Sequence, residues 1–308
     1  MKPFKHALTG ALSAAAAFAL LLGTAPASAA VQVFATVPEW AALAKEVGGA
    51  EVNVYQATTA MQDPHRVDAK PSLIAAARRA QLVVATGAEL EIGWLPVVLR
   101  ESGNSRIQVG QPGYLEAANL VTRLEIPSRL DRADGDVHPA GNPHVQLDPR
   151  NILKVAEGLA QRLADIDPAR AGTYRANLDG FRTRWKAAMG RWEQDGASLK
   201  GTRVWVQHKA FAYLTAWLGM TEVGALEPKP GVEPTSASLA DVLARQQATP
   251  ARMVIRAAYQ NDGPSKWVAD RAKIPAVVLP FTVGGDAEAK DLFGLFDDTL
   301  ARLKAALK

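Results

Sequence analysis

Cysteine is absent from the 308 residues, which excludes a disulfide framework and thiolate metal ligation, and makes tethering through a lipid-modified cysteine unexpected. Histidine is scarce, at five residues, so any imidazole chemistry must be assembled from a handful of positions. An excess of one charge sign is lacking too. The formal net charge is +4, and loss of Lys2 and Lys5 with an N-terminal leader, which takes no acidic residue with it, lowers +4 by two to +2. The basic residues are scattered rather than gathered in a stripe with interleaved aromatics, so nucleic acid is not an expected partner. Beyond the N-terminus no apolar run approaches the roughly 20 residues of a membrane span. A His-Glu-x-x-His helix, a Gly-x-Ser-x-Gly elbow and an obvious carboxylate beside the histidines to act as general base are all missing, which argues against hydrolytic chemistry.

What is present begins with a leader. Lys2 and Lys5 precede an apolar run from Ala7 to Leu22, and Ala27-Ser28-Ala29 supplies the small-residue site that a signal peptidase accepts. Residues 1–29 therefore read as a cleaved signal peptide, and the remainder as a freely diffusing, monomeric protein of a Gram-negative periplasm. About 280 mature residues exceed what one compact core usually supports, so two lobes are expected.

Short apolar, β-branched runs alternate with helical patterns from Val31 onward. Val31–Val37, Val52–Tyr55 and Leu82–Ala85 read as strands, with helices over Glu39–Val47 and Pro71–Ala80. The same rhythm returns late, with strands at Arg203–Gln207, Met253–Ala257 and Ala276–Leu279 and helices at Phe211–Leu218, Lys266–Ala272 and Glu288–Leu307. The βαβ rhythm implies parallel sheets. Between the two sets the pattern is helical. Asn151–Ala164 has an apolar face, preceded by Asp148 as a cap and Pro149 as a first-turn residue. A second helix, from Ala169 to Trp192, puts Tyr174, Leu178, Phe181, Trp185 and Met189 on one stripe. Its roughly 24 residues would run on the order of 36 Å, long enough to act as a strut between lobes. The expected fold is therefore α/β: an N-terminal lobe over residues 30–166, a linking helix over 167–197 and a C-terminal lobe over 198–308.

Four histidines remain after the leader: His65, His138, His144 and His208. Asp63-Pro64-His65 and Asn142-Pro143-His144 share a frame in which proline stiffens the backbone before an imidazole. Such preorganisation lowers the ordering entropy a ligand must lose on binding. His208 ends the strand Arg203–Gln207, and ligands of open α/β sheets bind just outside such strand ends. His65, His144 and His208 can thus face one cleft between the lobes. Taken one at a time, each also has a bland role, as a solvated loop residue or a strand-end side chain bonded to a carbonyl. Their separations match no short-range metal motif, so spacing alone leaves both readings open.

Several segments together resemble a known family. Gln62-Asp63-Pro64-His65 with Pro71-Ser72, Thr86-Gly87-Ala88-Glu89-Leu90-Glu91 with Trp94-Leu95, and Gly141-Asn142-Pro143-His144 with Leu147-Asp148-Pro149 and Asn151 are similar to the zinc and manganese solute-binding proteins of ABC importers. Tyr174 with Asn177, and His208 with Phe211-Ala212-Tyr213 and Gly219, continue the match in order along the mature chain. Within the family the chain resembles the branch with a Gly135-Asp136-Val137-His138 lead, a Leu226-Glu227-Pro228-Lys229-Pro230-Gly231 segment and a Phe281-Thr282-Val283-Gly284-Gly285 ending. The resemblance implies two α/β lobes joined by one long rigid helix. It also implies a metal held between them by His65 and His144 of the first lobe and His208 of the second, and delivery of the divalent cation to the membrane permease of the importer.

Val283 stands where many relatives carry an aspartate, so the fourth ligand stays open among water, Asp286 and others, with a helix cap the favoured role for Asp286. The segment Asp131–Pro139 is short and holds only His138, for which a surface position is the expectation. Three neutral imidazoles suit zinc, while manganese favours carboxylate oxygen, so Zn2+ is expected before Mn2+. The alternatives are a secreted zinc-dependent hydrolase or lyase, in which three histidines and a water hold a catalytic metal, and a lobed binder of an organic solute.

Overall fold

The structure is a computed structural model that describes residues 29–128 and 138–308. The leader, up to residue 28, and the lead segment 129–137 before His138 lie outside the described residues. Strands β1 (Val31–Ala35), β2 (Val52–Gln56), β3 (Leu82–Ala85) and β4 (Tyr114–Glu116) form one parallel sheet in the order β2-β1-β3-β4. Strands β5 (Arg203–Val206), β6 (Thr221–Ala225), β7 (Met253–Ala257) and β8 (Ala276–Leu279) form a second in the order β6-β5-β7-β8. The two sheets have the same topology. Leu82–Ala85 is buried along its whole length, as expected of a parallel strand covered on both faces.

Helices α1 (Pro38–Gly48), α2 (Pro71–Arg79) and α3 (Leu95–Ser102) belong to the first lobe, followed by α4 (Pro149–Ile166). Each carries a proline in its first turn, where the missing N–H is not needed by the helix. The Asp148 carboxylate accepts from Arg150 N, which makes it the cap foreseen for α4. The long helix α5 spans Ala171–Gly196, 26 residues. The second lobe adds α6 (Ala212–Leu218), α7 (Ser236–Ala248), α8 (Gly263–Ala272) and α9 (Leu292–Ala305).

Helix α5 packs against α1, α4 and α9. Its buried stripe is Tyr174, Leu178, Phe181, Trp185, Ala188 and Trp192. Met189, expected in that stripe, is only half-buried, because 3.6-residue periodicity carries Ala188 and Trp192 onto the buried line instead. Trp185 stacks on Phe181 at 5.1 Å and meets Phe293 of α9 edge-on at 4.9 Å. The Trp185 indole N–H donates to Pro149 O at 2.8 Å, and that of Trp192 to Asp297 Oδ1 at 2.6 Å, so each buried indole is satisfied by a different lobe. One hydrophobic core runs from Val31 of β1 through α5 to Leu303 of α9. Both lobes lie within one compact unit, Val31–Lys308. At roughly 1.5–3 kcal/mol per fully buried large apolar side chain, the α5 stripe is a substantial share of what joins them. No helix among the described residues is long and apolar enough to cross a membrane.

The start of the closing helix differs from expectation. The closing helix starts at Leu292 rather than near Glu288, because Asp291, not Asp286, receives the first-turn N–H, that of Gly294. Strands β4 and β6 and helices α3 and α7 are additions. β4 and β6 end their sheets and are largely half-exposed, so their sequences carry polar residues and glycine that mask the strand pattern.

Candidate metal centre

His65, His144 and His208 converge. One ring nitrogen from each lies within 4.8 Å of the other two. Ring centroids are 5.4 Å apart for His65 and His144, 5.7 Å for His65 and His208, and 5.8 Å for His144 and His208, all edge-on.

His65 sits in the loop after β2. Pro64 O accepts from Trp94 Nε1 at 3.0 Å, which fixes the backbone before the imidazole. The Asp63 carboxylate receives both the His65 amide, at 3.0 Å, and its Nδ1, at 2.8 Å. The loop that carries Trp94 is itself organised by the buried Glu91, which accepts from Thr36 Oγ1, Thr86 N and Gly87 N. Burial nevertheless holds the Glu91 carboxyl above the usual carboxylate range.

His144 follows Gly141-Asn142-Pro143. Gly141 has φ 98° and a side chain there would meet Leu124 O at 2.7 Å, so the turn demands glycine. Asn142 then acts as a clamp: Oδ1 accepts the His144 amide at 3.0 Å, while Nδ2 donates to Glu125 Oε2 and to Lys209 O of the second lobe, each at 2.9 Å. Tyr213 Oη donates to Asn142 O at 2.9 Å. The loop bearing His144 is thus hydrogen-bonded to the residue that follows His208.

His208 stands two residues past β5. Its Nδ1 lies 2.7 Å from Glu227 Oε2. A carboxylate on Nδ1 selects the tautomer with Nδ1–H, leaving Nε2 as the lone-pair nitrogen for a metal. Asp63 and Glu227 therefore do for His65 and His208 the same job. Two carboxylates thus stand beside the histidines, each committed to an imidazole N–H.

The nitrogens left over lack ordinary partners. His65 Nε2 and both nitrogens of His144 are buried with no hydrogen-bond partner among the described residues. Leaving a buried polar atom unsatisfied costs about 1–3 kcal/mol each, which argues for a ligand as the missing partner. Burial first, then the neighbouring His65, His208 and His138, hold the His144 imidazole well below the ordinary histidine range. That ring is neutral at physiological pH, the form a metal takes. Asp63 goes the other way: burial pulls its carboxyl up, but its bonds to His65 outweigh this and keep it below the usual value, hence ionised.

The remaining candidates are placed otherwise. The His138 ring centroid is 5.4 Å from that of His65, and the residue is half-buried. It is no plain surface residue, although it falls outside the three-nitrogen cluster. Asp286 is occupied: Oδ1 accepts from Glu288 N and Ala289 N, and Oδ2 from Arg302. Glu227 was legible only as part of a family segment with no role, and Asp63 was seen without its bond to His65. Asp63 could have been flagged from its two-residue offset, whereas Glu227 is 19 residues from His208 and no periodicity links them. A polar cavity of about 150 Å³ adjoins His65 and His208.

The model of the ZnuA family, described as zinc-uptake complex component A, periplasmic, matches residues 33–306. Among curated relatives, the metal ABC transporter substrate-binding lipoprotein ScbA of Streptococcus cristatus is 22% identical over 262 residues, 84% of this chain and 82% of that protein. The zinc-binding lipoprotein AdcA of Streptococcus pneumoniae is 23% identical over 202 residues, 64% of this chain but 39% of that longer protein. The manganese ABC transporter substrate-binding lipoprotein ScaA of Streptococcus gordonii is 24% identical over 161 residues, 51% of this chain and 49% of its own length. A crystal structure of ZnuA superposes with a TM-score of 0.74 at 21% identity, covering 89% of this chain and 98% of that one, which establishes the shared fold.

Proposed function

We propose, since the chain belongs to the ZnuA family of periplasmic zinc-uptake components, that it captures a divalent cation, zinc first, and delivers it to the permease of an ABC importer. His65, His144 and His208 are the proposed ligands. The observation that carries this reading is the convergence of three imidazole nitrogens within 4.8 Å, contributed by both lobes.

The chemistry follows from the donors. Neutral imidazole nitrogen is a borderline donor that suits zinc, whereas a manganese site favours more carboxylate. Asp63 and Glu227 bond the outer nitrogens of two of the rings, which raises the donor strength of the inner ones and brings two negative charges close to the dication. Named relatives include both a zinc-binding and a manganese protein, so the metal is assigned from the donor set. A zinc hydrolase or lyase would need a base aimed at metal-bound water. Asp63 and Glu227, the carboxylates bonded to the histidines, are already engaged as acceptors from imidazole.

The expected site of action is the periplasm, as a monomer freed from its leader after Ala29. Mass spectrometry of the secreted protein should give an N-terminus at Ala30. For the metal, protein stripped with chelator and titrated in competition with a chromophoric chelator should take up one zinc tightly and manganese far more weakly. Stoichiometric manganese binding at equal or higher affinity would overturn the zinc assignment, and catalytic turnover of ester or phosphate substrates would favour the hydrolase.

A further inference from the structure

Gly231 makes two hydrogen bonds that reach opposite lobes. Its N–H donates to Glu227 Oε2 at 2.8 Å, the oxygen that also lies 2.7 Å from His208 Nδ1. Its carbonyl accepts from Arg66 Nη2 at 2.9 Å, and Arg66 is the residue after His65. His65, Arg66, His208, Glu227 and Gly231 all line the same cavity of about 150 Å³. Gly231 has φ 75°, a left-handed conformation that a side chain would strain, and this conformation allows one peptide unit to face Glu227 and the next to face Arg66.

We propose that Arg66 and Gly231 form a latch that ties the loop of His65 to the carboxylate that positions His208 and so slows escape of the bound cation. The latch rests on the three-histidine reading above. Its logic is that of a second attachment. A cation held by ligands from two lobes escapes when one lobe's ligand lets go and solvent reaches the metal. A tie between the lobes beside those ligands keeps the released nitrogen at high effective concentration and favours recapture. Arg66 and Gly231 are positioning residues, because the contact runs through Glu227 and the loop backbone rather than to the metal.

Charge alone makes the opposite prediction, which gives the proposal its test. Removing a guanidinium from the rim of a dication site relieves repulsion and should slow metal loss. Removing the latch should speed it. The full mature protein, loaded with one equivalent of zinc, is mixed in a stopped-flow instrument with excess chromophoric chelator, and the rate of zinc release is recorded. Arg66→Ala is expected to release zinc roughly fivefold faster, the scale of one partly exposed charge-assisted hydrogen bond. Arg66→Lys, whose ammonium can still donate to the Gly231 carbonyl, should fall between. Gly231→Ala should also release faster, and the double variant no faster than the faster single one, because both changes break one device. Unchanged melting temperatures of the zinc-free Arg66 variants would exclude general loosening as the cause. Release from Arg66→Ala that is equal to or slower than wild type, with one zinc still bound tightly, overturns the latch and leaves the three-histidine reading standing. Failure of the wild type itself to hold one zinc overturns both.

Discussion

The two lobes share one strand order yet supply their histidines differently. The first lobe offers His65 and His144 from loops, each behind a proline and each with its amide bonded by the side chain two residues earlier, Asp63 or Asn142, while Trp94 braces Pro64 from 30 residues away. The second offers His208 two residues past a central strand and orients it with Glu227, carried on the loop after β6. A loop ligand is preorganised by local sequence, whereas a strand-end ligand is placed by the sheet and needs a distant partner to fix its ring. The same fold thus solves one problem twice: a two-residue side-chain bond to the histidine amide recurs in the first lobe, added to distant braces from Trp94 and Lys209, whereas His208 is oriented by Glu227, 19 residues away.

The comparison is broken most severely by removing one of the three proposed ligands. Replacing His144, the most buried of the three and orphaned at both nitrogens, with alanine should lower zinc affinity by more than about hundredfold, beyond the usual 10–100-fold loss for an outer partner. His65→Ala and His208→Ala should follow closely. Competition titration against a zinc chelator measures all three, and near-wild-type binding by any one would remove that residue from the site. The outer partners should show the asymmetry between lobes. Glu227→Gln should cost on the order of tenfold or more in affinity, because Glu227 is the named orienting partner of His208 and also receives Gly231 N. Asp63→Asn should cost less, since the Pro64–Trp94 bond still braces the His65 loop and the carboxylate is 36% exposed. Equal losses would mean that the Trp94 brace contributes nothing.

This asymmetry also sets how much was legible in the sequence. Strands β1, β3, β5, β7 and β8 are short, mainly apolar runs between turn signals, and their burial in parallel sheets is a local consequence of composition; edge strand β2 has no buried residue and is legible from its alternating Val52 and Val54. The Pro-His frames and the cap Asp148 were readable for the same reason: each acts within a few residues. Edge strand β6, Thr221–Ala225, contains glycine and glutamate and is half-exposed, so it has no strand pattern to read. Helix α7 buries only Leu239 and Val242, too little apolar face for a periodicity. The Glu227–His208 pair, the Arg66–Gly231 bond and the half-buried place of His138 beside His65 arise when the chain closes on itself, and no window of sequence contains both partners.

A buried pair between the lobes gives a smaller, pH-dependent test. Glu39, on α1 of the first lobe, accepts from Thr282 Oγ1 of the second at 2.5 Å. Burial pushes its carboxyl up to about 7, against 4.5 for the free side chain, with the Thr282 bond only partly opposing. The folded state therefore binds more protons than the unfolded chain between pH 4.5 and 7, and stability contributed by this group is present at the low end and lost as pH rises through about 7. Glu39→Gln keeps an acceptor for Thr282 without the buried charge. In the presence of chelator the variant should be more stable than wild type at pH 8, by on the order of 2 kcal/mol, with the gap closing toward pH 5. Urea unfolding at several pH values checks this, and a gap independent of pH would show that Glu39 does not titrate in that window.

The smallest expected effect on metal binding concerns Asp286, which lies three residues after Val283 and is one of the candidates for the fourth ligand. Its two oxygens are committed to Glu288 N, Ala289 N and Arg302, and Arg302 also pairs with Asp298 at 2.5 Å within α9. Swinging Asp286 toward a cation would strip two backbone donors and leave its guanidinium partner with a single carboxylate. The gain of one metal–oxygen bond would have to offset all three losses. Asp286→Ala should therefore change zinc affinity by less than about twofold while lowering stability by about 1–2 kcal/mol, through loss of its bonds to two backbone N–H groups and to Arg302. Competition titration and thermal melts on the same sample separate the two readouts. A tenfold loss of zinc affinity with the fold intact would instead assign Asp286 to the metal, and the second lobe would then match the first in giving two ligands.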